Sequence, residues 1–130
     1  MIKVQNLCKA FGQHKLFARF SLEIPDGEFC IFAGVSGCGK TTLLNMIGAL
    51  EPVDGGSIIV NGTDVTRRKN RRGYLRHTVG FLFQNFALVD NKTVRENLKL
   101  VKNDCRSDIS PEEALARVGL ADKLDQKVYS

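Results

Sequence analysis

The run Gly34-Val35-Ser36-Gly37-Cys38-Gly39-Lys40-Thr41 constrains the fold of this chain more than any other feature. It fits the pattern G-x-x-x-x-G-K-[ST], which does its chemistry only when set between a strand and a helix. The flanking sequence supplies both. Upstream, Glu28-Phe29-Cys30-Ile31-Phe32-Ala33 is a near-continuous apolar run, suited to a central parallel strand buried on both faces. Downstream, residues 41–50 carry Leu43, Leu44, Met46, Ile47 and Leu50 at helical spacing, and Pro52 closes the segment. The expectation is a strand, loop and helix unit of an α/β fold.

The loop residues have a shared chemical logic. A triphosphate needs a ring of backbone N–H donors, and Gly34, Gly37 and Gly39 let the chain approach the oxygens without β-carbons in the way. The helix that opens at Lys40 points its N-terminal dipole at the same place. Lys40 can set a positive charge between the outer phosphates, and the Thr41 hydroxyl can ligate Mg²⁺. Val35, Ser36, Cys38 and Thr42 complete the candidate binding loop, Cys38 at a position the pattern leaves free. The same loop serves kinases, GTPases, helicases and transporter ATPases, so the pattern alone leaves the fate of the nucleotide open.

The rest of the chain reads as mixed elements around this unit. Ile2 to Phe11 alternates as a strand, Leu16 to Ile24 reads as a second, and Pro25-Asp26-Gly27 is a turn. Asp54-Gly55-Gly56 leads into Ser57 to Val60, and Asn61-Gly62 is a two-residue hairpin signal before Thr63. Thr78 to Phe83 reads as a further apolar strand ending at Gln84. Thr93-Val94-Arg95-Glu96 and Ser110-Pro111-Glu112-Glu113 are capping boxes, the first starting a helix with Val94, Leu98 and Val101 on one face, the second a helix ending near Gly119.

Composition enters through charge. The net charge of +5 comes from 19 basic and 14 acidic residues, yet six of the basic ones lie between Arg67 and Arg76. Such a run can be a phosphate-neutralising patch. With Tyr74 the sole aromatic in it, a solvated, partly helical connection is the better expectation, and no nucleic-acid partner is expected. The four cysteines Cys8, Cys30, Cys38 and Cys105 form no C-x-x-C pair, which argues against a zinc site or a disulfide framework and fits a reducing cytosol. His14 and His77 lie outside the nucleotide motifs and read as surface residues. The N-terminus has no export signal, and the apolar runs on either side of Lys40 are well short of the ~20 residues of a spanning helix, so a membrane would be crossed by another chain.

Together with the phosphate loop and its Thr42-Leu43-Leu44 continuation, Gly80-Phe81-Leu82-Phe83-Gln84-Asn85-Phe86-Ala87-Leu88-Val89 and Thr93-Val94-Arg95-Glu96-Asn97-Leu98 resemble the ATP-binding subunit of an ABC transporter. The resemblance is to the branch of macrolide, lipoprotein-release and bacteriocin exporters, and it extends through the hairpin at Val53 to Gly62. It implies a P-loop NTPase fold present in part. Residues 1–89 would form the antiparallel β subdomain and the P-loop core up to the Q-loop, and residues 90–130 the start of the helical subdomain. It implies ATP and Mg²⁺ as ligands, with Gln84 as the Q-loop glutamine reaching the metal beside Thr41. Phe11 falls where the family stacks an aromatic on adenine, and stacking is the reading taken here, with a core aromatic at a strand end as its alternative. The partners implied are a transmembrane permease, met through the Q-loop and the helices after it, and a second ATPase subunit. The place implied is the cytoplasmic face of the cell membrane.

The family's signature loop, Walker B strand and switch histidine do not occur before Ser130. Phosphoryl transfer to water needs a water-positioning group and charge stabilisation that those elements carry. The 130 residues are therefore expected to bind Mg-ATP without turning it over. The runs Phe29 to Ala33 and Val79 to Phe83 are expected to leave unpaired edges and apolar faces that drive self-association. A soluble P-loop kinase, or an ABC-type ATPase that works on nucleic acid, are the alternatives.

Overall fold

Strand β1 (Ile2–Phe11) pairs antiparallel with β2 (His14–Ile24) on one side and with β3 (Gly55–Val60) on the other. A short β4 (Thr63–Asp64) extends the sheet to the order β2-β1-β3-β4. A computed structural model provides this structure and describes residues 1–105 and 108–129; Ser130 lies outside the described residues. The β3–β4 hairpin closes on Asn61 and Gly62, both at positive φ (47° and 79°), with Val60 opposite Thr63. That is the turn the Asn-Gly pair encodes, because its twist matches that of the flanking strands.

Helix α1 (Lys40–Ile47) follows the glycine loop, and α2 (Arg68–His77) follows β4. Val4 and Leu7 from β1, Ile58 and Val60 from β3, Leu43, Met46 and Ile47 from α1, and Tyr74 from α2 form the core. Leu44 and Leu50 stay half exposed, because at helical spacing only Leu43, Met46 and Ile47 face the sheet. The Tyr74 hydroxyl donates to the Ile47 carbonyl at 3.0 Å, which ties α2 to the last turn of α1. The basic run is thus a surface helix anchored by its one aromatic.

Two segments expected as strands are not strands. Residues 28–33 and 78–83 join no β-ladder among the described residues. A strand exists through the partner that takes up its backbone N–H and C=O groups, and apolar sequence alone does not provide one. Phe29 and Ile31 stand 88% and 74% exposed, while Phe32 and Val79 pack against the core. The chain divides into two compact units, Met1–Gly80 and Phe81–Ser130, and the division falls inside the second of these segments.

The second unit is built of short pieces. Between helices α3 (Val94–Leu98) and α4 (Pro111–Arg117) lies one 3₁₀ turn, Asn103–Cys105, and a second, Ala121–Lys123, follows α4. α3 has the expected reciprocal capping box between Thr93 and Glu96, and α4 starts on Ser110, whose hydroxyl accepts from the Glu113 amide. The α4 segment turns away at Gly119, φ 74°. α3 stops at Leu98, so Val101 lies outside it and is half exposed; the residue of α3 that is buried is Asn97. Arg95 pairs with both Glu112 and Asp125, which links α3 to the start of α4 and to the C-terminal segment. The two carboxylates hold the Arg95 guanidinium far above its ordinary value, and Arg95 in turn lowers the Asp125 carboxyl; that of Glu112 is lowered first by a hydrogen bond from its own backbone N–H and then by Arg95.

Candidate functional site

The glycine loop takes the conformation its sequence requires. Gly34, Gly37 and Gly39 have φ of 153°, 80° and 96°, and residues 34–38 are exposed. Gly39 is the position with least tolerance. A β-carbon there would lie 3.0 Å from Leu16 Cγ and from Phe17 Cζ, so the loop enters α1 pressed against β2. Because Phe17 pairs with Lys9 and His14 with Phe11, this contact sets the loop beside the β1–β2 hairpin that carries Phe11.

Lys40 folds back over the loop. Its ammonium donates to the Gly34 carbonyl at 2.9 Å and the Val35 carbonyl at 2.7 Å, and lies 3.6 Å from Cys38 Sγ. The N-terminus of α1 has no side-chain cap at Gly39 and no acidic residue in its first turn. Its first N–H groups therefore face outward as donors with the positive end of the dipole behind them. A lysine held over an uncapped helix start, in a loop opened by left-handed glycines, presents positive charge and N–H donors to one anion. Val35 and Ser36 form the exposed rim, Thr41 is exposed on the first turn of α1, and Thr42 is half-buried beside it. For a divalent cation the oxygen of the Thr41 hydroxyl is a suitable hard ligand, and so is the amide oxygen of Gln84.

Phe11 ends β1 with its ring 51% exposed, so it is not a core side chain. Gln84 belongs to the second unit, where it is exposed and opens the turn at 84–87. That turn holds Phe86 and Ala87 at positive φ, 60° and 50°, which costs non-glycine residues about 1–3 kcal/mol each. Asn97 is a structural centre that sequence reading missed. Its amide oxygen accepts from the Val89 N–H at 2.7 Å, and its nitrogen donates to the carbonyls of Val89 (3.1 Å) and Thr93 (3.0 Å), fixing the segment after Gln84 onto α3. Its place directly after the Glu96 of the capping box is the only signal that the sequence offered.

The fold and loop define a P-loop nucleotide-binding protein. A family model described as ABC transporter matches residues 17–130. The arginine transport ATP-binding protein ArtM of Bacillus subtilis (strain 168) is 36% identical over 95% of this chain and 54% of its own length. The glutamine transport ATP-binding protein GlnQ of the same organism is 37% identical over 96% and 54%. Among solved structures, the dimeric structure of MJ0796, a bacterial ABC transporter cassette, superposes with a TM-score of 0.79 at 28% identity, covering 98% of this chain and 61% of that one. The MJ0796 cassette has also been solved as a dimer in a post-hydrolysis state with ADP and Pi, which superposes with a TM-score of 0.77 at 27% identity and covers 98% and 62%. The chain belongs to the ABC transporter family, as part of its ATP-binding domain, and it spans about half the length of the curated relatives it matches.

Proposed function

We propose that these 130 residues are the ATP-binding part of a nucleotide-binding subunit that powers a membrane transporter. The observation that carries the reading is the Lys40 ammonium held on the Gly34 and Val35 carbonyls above the uncapped start of α1. Lys40 would neutralise the outer phosphates, the loop amides of 34–41 would take up their oxygens, and Phe11 would cover the adenine ring. Thr41 would hold Mg²⁺, which would supply neutralising charge to the phosphates, and the amide oxygen of Gln84 is of the kind such a cation takes. The second unit, through Gln84 and the helices after it, would meet a permease. A second ATPase subunit would complete the assembly, as the dimeric MJ0796 cassette does with its own copy. The place of action would be the cytoplasmic face of a membrane; among the described residues no helix is long and apolar enough to cross one.

The relatives also include a spermidine/putrescine import ATP-binding protein, PotA of Aliivibrio fischeri, at 37% identity, so the exporter branch suggested by the motifs finds no support in these matches. The membrane partner selects the cargo, and the transport reading stands without it. Action on nucleic acid is disfavoured by the basic segment itself. Tyr74 is buried, Arg67 is paired with Asp64, and Arg71 donates to the Leu50 carbonyl. The test is calorimetric titration of the protein with Mg-ATP. Binding is expected, and Lys40→Ala should weaken it about 10- to 100-fold, the worth of charged hydrogen bonds to phosphate. Equal affinity in wild type and Lys40→Ala would sink the proposal.

A further inference from the structure

β1 carries a charged side chain into the interior next to the candidate base-binding ring. Lys9 is 6% exposed, and the period-two geometry of a strand puts it on the same face as Phe11. Its ammonium pairs with Glu51 at 2.6 Å and Asp54 at 3.7 Å, and donates to the Pro52 carbonyl at 2.9 Å. It also lies 5.0 Å from the centroid of the Phe11 ring. The Glu51 carboxylate, helped by Asp54, keeps this ammonium above the ordinary lysine value against the opposing effect of burial.

The anchoring of Lys9 explains how its charge is tolerated in the interior. It does not explain why the same ammonium faces an exposed aromatic. The surroundings make that contact rigid. Asp54 accepts the Ala10 N–H at 2.7 Å and donates its own N–H to the Cys8 carbonyl at 3.0 Å, so the segment 51–54 after α1 is bound along the end of β1. The other end of α1 carries the phosphate loop, and Phe17, the strand partner of Lys9, rests against Gly39 at its entrance. One fixed frame therefore joins Phe11 to the loop.

We propose that Lys9 is a positioning residue for the nucleotide base: its ammonium pins the Phe11 ring from beneath by a cation–π contact and leaves the opposite face presented for a purine to stack on. This rests on the reading of the chain as an ATP-binding subunit with Phe11 at the adenine. An exposed phenylalanine otherwise samples several rotamers, and selecting one of them would weaken base binding; a ring held in advance avoids that loss.

The experiment compares ATP with inorganic tripolyphosphate, which has the phosphates and no base. Lys9→Met keeps the apolar stem and removes the charge. It should weaken ATP binding about tenfold and leave tripolyphosphate within about twofold. In a Phe11→Leu background the same substitution should have no further effect on ATP. A Lys9→Met variant that loses both probes by one factor, that loses neither, or that acts equally with Phe11 absent overturns the proposal. Should Lys9→Met fail to fold, proton NMR of the wild type decides. The Lys9 ε-methylene protons should lie upfield of ordinary lysine, collapse to the ordinary position in Phe11→Leu, and shift with ATP but not with tripolyphosphate. Lys9 protons insensitive to ATP overturn it as well. A wild-type protein that binds neither probe overturns the nucleotide reading itself, whereas one that binds both with Lys9 silent overturns only the positioning role.

Discussion

At the scale of single residues, two polar groups hold connections that apolar packing leaves undefined. Asn97 satisfies three backbone groups around Val89 and Thr93. Asn97→Ala strips the partners from half-buried amides and carbonyls, at about 1–3 kcal/mol for a group left unsatisfied. Amide hydrogen exchange should show the loss first at Val89, with the Met1–Gly80 unit unchanged. Asp64 does the same between β4 and α2, accepting from the Thr66 amide (3.1 Å) and hydroxyl (2.5 Å) and from Arg67 at 2.9 Å. Burial works to raise its carboxyl, but these hydrogen bonds win and hold it below its ordinary 3.8. A carboxyl depressed in the folded state stabilises the protein above the unfolded value, and that contribution is lost as pH falls through the folded one. Thermal melts should therefore decline below about pH 4, and less steeply in Asp64→Asn. Neither role was legible in the sequence. Asparagine and aspartate near helix starts read first as caps, and these two act through backbone groups that only the folded turns bring to them.

At the scale of elements, legibility followed the strength of local signals. The β1 and β2 strands, the β3–β4 hairpin with its Asn61-Gly62 turn and the Thr93 capping box could be read because each is set by a few adjacent residues. The same holds for the glycine loop, where pattern and conformation coincide. The misses were elements that depend on distant partners. Residues 28–33 have strand composition without a ladder, and α3 ends at Leu98 rather than extending to Val101. One consequence belongs to the joint between loop and helix. Gly39 combines φ 96° with the 3.0 Å approach of Leu16 and Phe17, so Gly39→Ala meets two penalties at once. The left-handed backbone alone costs an L-residue about 1–2 kcal/mol. Gly39→Ala should lower thermal stability by at least that amount and move the β1–β2 hairpin resonances, while Gly12→Ala, at a position with open space around it, should not disturb the loop.

At the scale of the whole molecule, the ordering of the interior is uneven. The four-stranded sheet with α1 and α2 closes a core around Leu7, Met46 and Ile58, each under 2% exposed. Next to it, Phe29 and Ile31 of the segment expected to be a central strand point into solvent, and in the second unit Leu82 is 93% exposed while Phe81 and Phe83 stack on one another at 5.4 Å. Exposed apolar side chains at alternate positions beside unpaired backbone groups are what a free sheet edge offers to another chain. At roughly 25 cal/mol per Å² of apolar surface removed from water, covering even two such side chains favours association by a few kcal/mol. The protein should therefore self-associate at micromolar concentration in light scattering. The double substitution Phe29→Ser with Ile31→Thr lies outside the buried core and keeps the loop sequence, so it should raise the monomer fraction while leaving Mg-ATP affinity within about twofold. A wild type that stays monomeric at that concentration would mean that these side chains are covered within one chain. A double variant that associates as strongly as the wild type would move the contact to the aromatic run of the second unit.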